Sequence, residues 1–293
     1  MSILTSMDEY KFWHDEKLTR SITNIDECLV DIFNPDRLTS SEKDKVLQLC
    51  TVNNFALFQL QNIDSFTNDS ITNISAQFGL TNSDDHLYAP KSGLSRITQS
   101  KNEEQATFIP YTSKAISWHT DGYYNPTSKR IRAFTLFCVN KAASGGSNAW
   151  IDPQIVYLLL RENNPDVARA LTHSNAMTIP THEVNGSIRR PKSTGPIFFI
   201  DKVTKKLSMR YTQRKKNILF LNSIELKQAV EYLDKLLDSD SAHHFKLLFE
   251  PGQGIICNNV IHNREQFSDD PSRPRLLLRG RYYNQTGTLQ SEN

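Results

Sequence analysis

At 293 residues the chain has material for one large domain or two small ones, and for a substantial core. Apolar residues make up 38% and charged residues 23%, a balance that excludes disordered and fibrous classes. A formal net charge of +2 supplies no global field to recruit nucleic acid or an anionic membrane, so neither is expected as a partner.

The first segment, MSILTSMDEYKFW, has no basic start followed by an apolar run and does not read as a signal peptide. No apolar run approaches the length of a bilayer span. Cys28, Cys50, Cys138 and Cys257 are far apart and lack CxxC spacing, so free thiols in a reducing compartment are expected, and with them a cytoplasmic protein. A helix is predicted to start near Ser40 or Ser41, with Glu42 as capping partner and Val46, Leu47, Leu49 and Cys50 on one side. FALFQL (55–60) reads as a strand, and SITNISAQFG (70–79) as a short helix ending at a glycine.

From about residue 106 the texture changes to strand and loop. ATFIPYT, RAFTLFCV and PIFFI are apolar, β-branched or aromatic runs bounded by Pro, Gly, Ser and Asn. Two helical stretches interrupt them. DPQIVYLLLRENNP (152–165) opens with an Asp cap and a proline at the first helical position. NSIELKQAVEYLDKLLDS (222–239) carries Leu226, Val230, Leu233 and Leu237 at helical spacing. HFKLLFE, the turn PGQG, GIICNNVIH and RLLLRGRYY then read as strands. The mixture predicts an α+β protein with an antiparallel sandwich or barrel at its centre and helices packed outside. With no repeat and no low-complexity linker, a single domain over 1–293 is expected.

SWHTDGYYN (117–125) holds the first chemical signal. On a strand, residues two apart share a face, so His119 and Asp121 would present an imidazole and a carboxylate to one point. A second histidine would complete the two-His, one-carboxylate set that holds non-heme Fe(II) with positions open. His14 and Glu16 repeat the spacing, but in a charged segment with no strand signal. His262 closes the apolar run GIICNNVIH and is the strongest third ligand; His86, His173, His182 and the pair His243–His244 read as surface or packing residues. Beyond it, Arg275, Arg279 and Arg281 alternate on one strand face, an arrangement that suits a cavity receiving carboxylates. Arg189 and Arg190 read as a solvent loop or lid edge.

HTD, the loop AASGGSNAW (142–150), the distant His262 and the ending HNREQFSDDPSRPRLLLRGRYY together resemble the Fe(II)- and 2-oxoglutarate-dependent oxygenases. Among these, the taurine dioxygenase and γ-butyrobetaine hydroxylase branch is the most similar. The resemblance spans roughly residues 40 to 285 and implies a double-stranded β-helix (jelly-roll) core. It makes about 1–39 an N-terminal extension and about 150–240 a helix-containing insertion between core strands. It implies Fe(II) on His119, Asp121 and His262, with 2-oxoglutarate as co-substrate and O2 as oxidant. It places Arg275 on the distal carboxylate of 2-oxoglutarate and Arg279 on either that co-substrate or an acidic group of the prime substrate. Asn148 stands where the family usually has a hydroxyl residue against 2-oxoglutarate, and an amide can donate the same bond. Tyr123, Tyr124, Asn125 and Arg210 are the candidate contacts to a small-molecule substrate; Arg210, Arg214 and Arg279 suggest an anionic group on it, while the tyrosines would equally suit a quaternary ammonium. The implied reaction is hydroxylation of an unactivated C–H with release of succinate and CO2. Desaturation, cyclisation or demethylation, a non-catalytic member of the fold, and a homo-oligomeric state all stay open.

Overall fold

The computed structural model describes residues 3–4, 6–63, 66–84, 93–184 and 186–287. It divides into two compact units, one of Met1–Ser21, Ser117–Arg130 and Ile151–His244, the other of Ile22–Ile116, Ile131–Trp150 and Phe245–Asn293.

The second unit is built on a six-stranded sheet in the order Leu29–Ile32, Phe55–Leu60, Gln253–Cys257, Ala133–Asn140, Leu276–Tyr282, Leu94–Ile97. Its first pair is parallel and the others are antiparallel. Phe55, Phe58, Phe137, Ile255 and Ile256 are buried in the core that covers both of its faces, and the rings of Phe58 and Phe137 stack 6.0 Å apart. Helix α2 (Ser40–Asn53) buries Val46, Leu49 and Cys50. The sequence placed its start near Ser40; Thr39 caps it and closes a capping box with Glu42. Helix α3 (Asn68–Gln77) adds Ile71 and Ile74 to the same core. All four cysteines are buried and unbridged.

Two expected strands differ. ATFIPYT folds as two short 3-10 turns, Gln105–Thr107 and Ile109–Tyr111, because Pro110 has no N–H for a ladder. GIICNNVIH is two strands rather than one, Gln253–Cys257 and Ile261–Arg264, with Asn259 turning between them at φ 53°.

The first unit holds helices α1 (Met7–Arg20), α4 (Pro153–Asn163), α5 (Pro165–Leu171) and α6 (Ile224–Leu237). Asp152 caps α4 and Pro153 opens it, as the sequence predicts, and Leu226, Val230, Leu233 and Leu237 are buried on α6. Helix α1 was not expected, because its buried face is only Tyr10, Trp13 and Lys17. Lys17 is buried through an ion pair with Asp152, so one stripe position is a charge rather than a hydrophobe. Three small antiparallel sheets complete this unit: Met177–Ile179 with Ser193–Gly195 and Leu219–Phe220, His182–Val184 with Ser187–Arg190, and Phe198–Ile200 with Leu207–Met209. Among the described residues no helix is long and apolar enough to cross a membrane.

Candidate active site

His119 ends the short strand Ile116–His119. The expectation that His119 and Asp121 share a strand face therefore needs correction: Asp121 lies past the strand, where Gly122 turns the chain at φ 67°. Thr120, which is buried, anchors the chain between them. Its N–H donates to the Tyr211 carbonyl at 3.0 Å, and its hydroxyl accepts from the Tyr211 N–H at 3.1 Å. On either side, His119 bridges to Thr212 and the Gln213 N–H donates to the Trp118 carbonyl at 2.9 Å. The Tyr211 hydroxyl in turn donates to Asp234 on α6. Burial raises the pKa of both that phenol and the Asp234 carboxyl.

His119, Asp121 and His262 each offer a ligand atom, and all of these atoms lie within 4.8 Å of one another. His119 Nδ1 bonds to the Ser117 carbonyl at 2.9 Å, and His262 Nδ1 to the Val260 carbonyl at 3.0 Å. A carbonyl only accepts, so Nδ1 carries a proton in both rings and Nε2 is the atom each can offer to a metal. The Phe134 ring packs 4.6 Å from the His262 ring. Two imidazoles offering Nε2 and a carboxylate form a donor set that fits Fe(II) and leaves coordination positions open.

Arg275 is 3% exposed, and its guanidinium lies 5.0 Å over the Phe267 ring. Its backbone N–H donates to Asp269 at 2.8 Å, but among the described residues the guanidinium bonds to no carboxylate. Burial pushes its pKa down to about 10. A cation held in this state favours a bound anion. Arg264, which the sequence reading missed, is buried beside it and donates to the carbonyls of Pro110, Thr112 and Lys114. Burial, then the charges of Arg275 and Arg279, lower its pKa to about 9. Arg275 and Arg279 thus both lie within electrostatic reach of Arg264, and Asp269 is a carboxylate acting on Arg264 and Arg275. Arg281, expected on the same face, is neutralised by a buried ion pair with Asp84.

The glycines of GGSN are there for space. A Cβ on Gly145 would stand 2.3 Å from the Gln266 carbonyl oxygen. One on Gly146, at φ 83°, would meet Phe267 Cβ at 3.2 Å and Arg275 Nε at 3.4 Å. Asn148 donates one amide hydrogen to the Asn263 carbonyl at 3.2 Å, next to His262, which leaves its second for a ligand.

The expected substrate residues divide. Tyr123 and Tyr124 are half-buried and meet edge to face at 5.1 Å. Asn125 spends its amide on the Lys129 carbonyl at 2.8 Å, closing a turn. Arg210 departs from the expected role. Its buried guanidinium donates to the carbonyls of Tyr123, Met177, Ser193 and Gly195, so it ties the Tyr123 turn to two strands and keeps no free edge for a substrate. Arg190, read from the sequence as a solvent loop or lid edge, is half-buried with its guanidinium 5.2 Å over the Tyr124 ring. His86 lies outside the described residues. His173 and His182 are exposed, while His244 packs its ring 5.7 Å from Trp118.

Over residues 14–281 the chain matches the sequence profile of the family described as "Taurine catabolism dioxygenase TauD, TfdA family". A uridine-5'-phosphate dioxygenase from Streptomyces sp is 28% identical over 198 residues, covering 64% of this chain and 68% of that protein. Asparagine oxygenase, solved in complex with Fe(II), 2S,3S-3-hydroxyasparagine and succinate, superposes with a TM-score of 0.62 at 11% identity, covering 94% of this chain and 91% of that one. A taurine dioxygenase from Burkholderia xenovorans superposes at 0.58 with 16% identity, over 87% of this chain and 85% of that one. These structural likenesses show the fold, a jelly-roll core with helices outside it.

Proposed function

The chain belongs to the taurine catabolism dioxygenase TauD, TfdA family, and on that premise we propose that it is an Fe(II)- and 2-oxoglutarate-dependent oxygenase that hydroxylates an unactivated C–H of a small anionic metabolite. His119, Asp121 and His262 hold the iron through two Nε2 atoms and one carboxylate oxygen. Arg275 takes the distal carboxylate of 2-oxoglutarate, Arg279 acts on the prime substrate, and Asn148 donates an amide hydrogen to the co-substrate. Iron and co-substrate supply the oxidising chemistry, with succinate and CO2 as co-products, while the protein orients and shields. Tyr123 and Tyr124, following the iron motif, line the substrate side. The four buried free thiols support a reducing, cytoplasmic setting.

The observation that carries this reading is the convergence of three ligand atoms within 4.8 Å. Desaturation, cyclisation or demethylation would use the same residues and differ only in the substrate. A non-catalytic reading has no use for open iron positions. The test is anaerobic addition of Fe(II) and 2-oxoglutarate, which should give a weak visible charge-transfer band that His119→Ala and Asp121→Ala both lose. No band, together with no succinate release in air, would sink the enzyme reading.

A further inference from the structure

Once Arg210 is committed to four backbone carbonyls, the substrate's anionic group needs another partner in the first unit. We propose that Arg190 is that partner, and that the group it receives is a doubly charged phosphate ester. The proposal deepens the oxygenase reading of the site and rests on it.

Arg190 ends the strand Ser187–Arg190, where the register with His182–Val184 shifts between Ile188 and Arg190. Such an irregularity re-aims side chains. Ile188 and Arg189 are exposed, whereas Arg190 turns in over the Tyr124 ring, three residues from Asp121. The ring covers one face of the guanidinium, and a cation stacked in this way still donates in its own plane. That edge is poorly used. Nε is buried with no hydrogen-bond partner, and one terminal nitrogen reaches the Pro180 carbonyl only at 3.5 Å. A buried donor left in this state is costly unless something binds it.

The local charge selects the class of ligand. Arg214 presses on Arg190, Arg130 presses on Arg210, and among the described residues no carboxylate is among the charges acting on either Arg190 or Arg210. Arg130 itself is stacked 3.8 Å over Phe199. A carboxylate brings one charge to set against the two cations, Arg190 and Arg214. A phosphate monoester carries nearly two charges and offers several acceptor oxygens to a forked donor, so it offsets both.

The test uses the full chain with anaerobic Fe(II) and saturating 2-oxoglutarate, which occupies the Arg275 side. Inorganic phosphate and acetate are then titrated by calorimetry. The wild type should prefer phosphate by roughly tenfold or more, and Arg190→Met should weaken phosphate by a similar factor. Should Arg190→Met not fold, Arg190→Lys carries the test: charge without the fork should bind phosphate with intermediate strength. Phosphate binding equal to wild type in both variants overturns the assignment, and acetate binding as tightly as phosphate overturns the ligand class. The two failures are distinguishable, because a wild-type chain with no 2-oxoglutarate band overturns the oxygenase reading instead.

Discussion

His119 and His262 hold their imidazoles in the same way: each Nδ1–H donates to the carbonyl two residues earlier, at 2.9 Å to Ser117 and 3.0 Å to Val260. The backbone thereby fixes both tautomers before a metal arrives, and Asp121 supplies the single negative charge of the set. Asp121→Asn keeps the shape but removes that charge. It should weaken Fe(II) by roughly 100-fold or more, read by anaerobic titration of the visible band. Wild-type affinity in this variant would remove Asp121 from the ligand set.

Arg275 and Arg279 differ in setting, and their variants should differ in effect. Arg275 is buried beside GGSN and Phe267, whereas Arg279 sits mid-strand opposite Leu136 and Ser95 and is only part-buried. Arg275→Ala should raise the 2-oxoglutarate requirement by roughly 10- to 100-fold, the cost of a charge-assisted bidentate pair. Arg275→Lys should recover little, because the fork is lost. Arg279→Ala should act mainly on the prime substrate. Steady-state succinate release against each co-substrate separates the two; identical effects on 2-oxoglutarate would void the division.

Much of the candidate site is legible in the sequence, because the proposed ligands are chemically distinctive and sit beside turns or near strand ends. HTD, His262 and Arg275 are such residues. The helices α4 and α6 are legible for a related reason, since their caps and apolar spacing agree. What escapes is side-chain commitment. Arg210 and Arg190 look equivalent in sequence, yet one is consumed by four carbonyls and the other by none at short range. Arg264 escapes similarly, since its partners are carbonyls more than a hundred residues away in sequence, at Pro110, Thr112 and Lys114. Helix α1 escapes because a buried ion pair stands in its apolar stripe.

Gly146→Ala tests whether the glycine loop shapes the Arg275 pocket. At φ 83° an alanine is strained, and its methyl would crowd Phe267 and Arg275 Nε. The backbone strain alone costs about 1–3 kcal/mol. A lower melting temperature and a raised 2-oxoglutarate requirement should therefore appear together. Gly145→Ala, with its methyl against the Gln266 carbonyl, should lose more stability still. A Gly146→Ala chain with wild-type melting and wild-type 2-oxoglutarate dependence would show that the space is not needed.

The docking of α1 should depend on pH through His14. Its ring bonds to Glu162 on α4 and to Asp15, and the bond to Glu162 is the main cause of a pKa raised above 6.5. The folded state therefore holds the proton more tightly than the unfolded chain. The stabilisation is complete below 6.5 and is lost as pH rises through the raised folded value. His14 and Glu162 are 22% and 43% exposed, so salt should screen the effect. The buried Lys17–Asp152 pair keeps the helix attached across the range. Hydrogen-exchange protection of α1 amides should fall between about pH 5.5 and about pH 8.5 in the wild type, after correction for intrinsic exchange. In His14→Gln that difference should vanish. An unchanged pH dependence in this variant would place the linkage on another group.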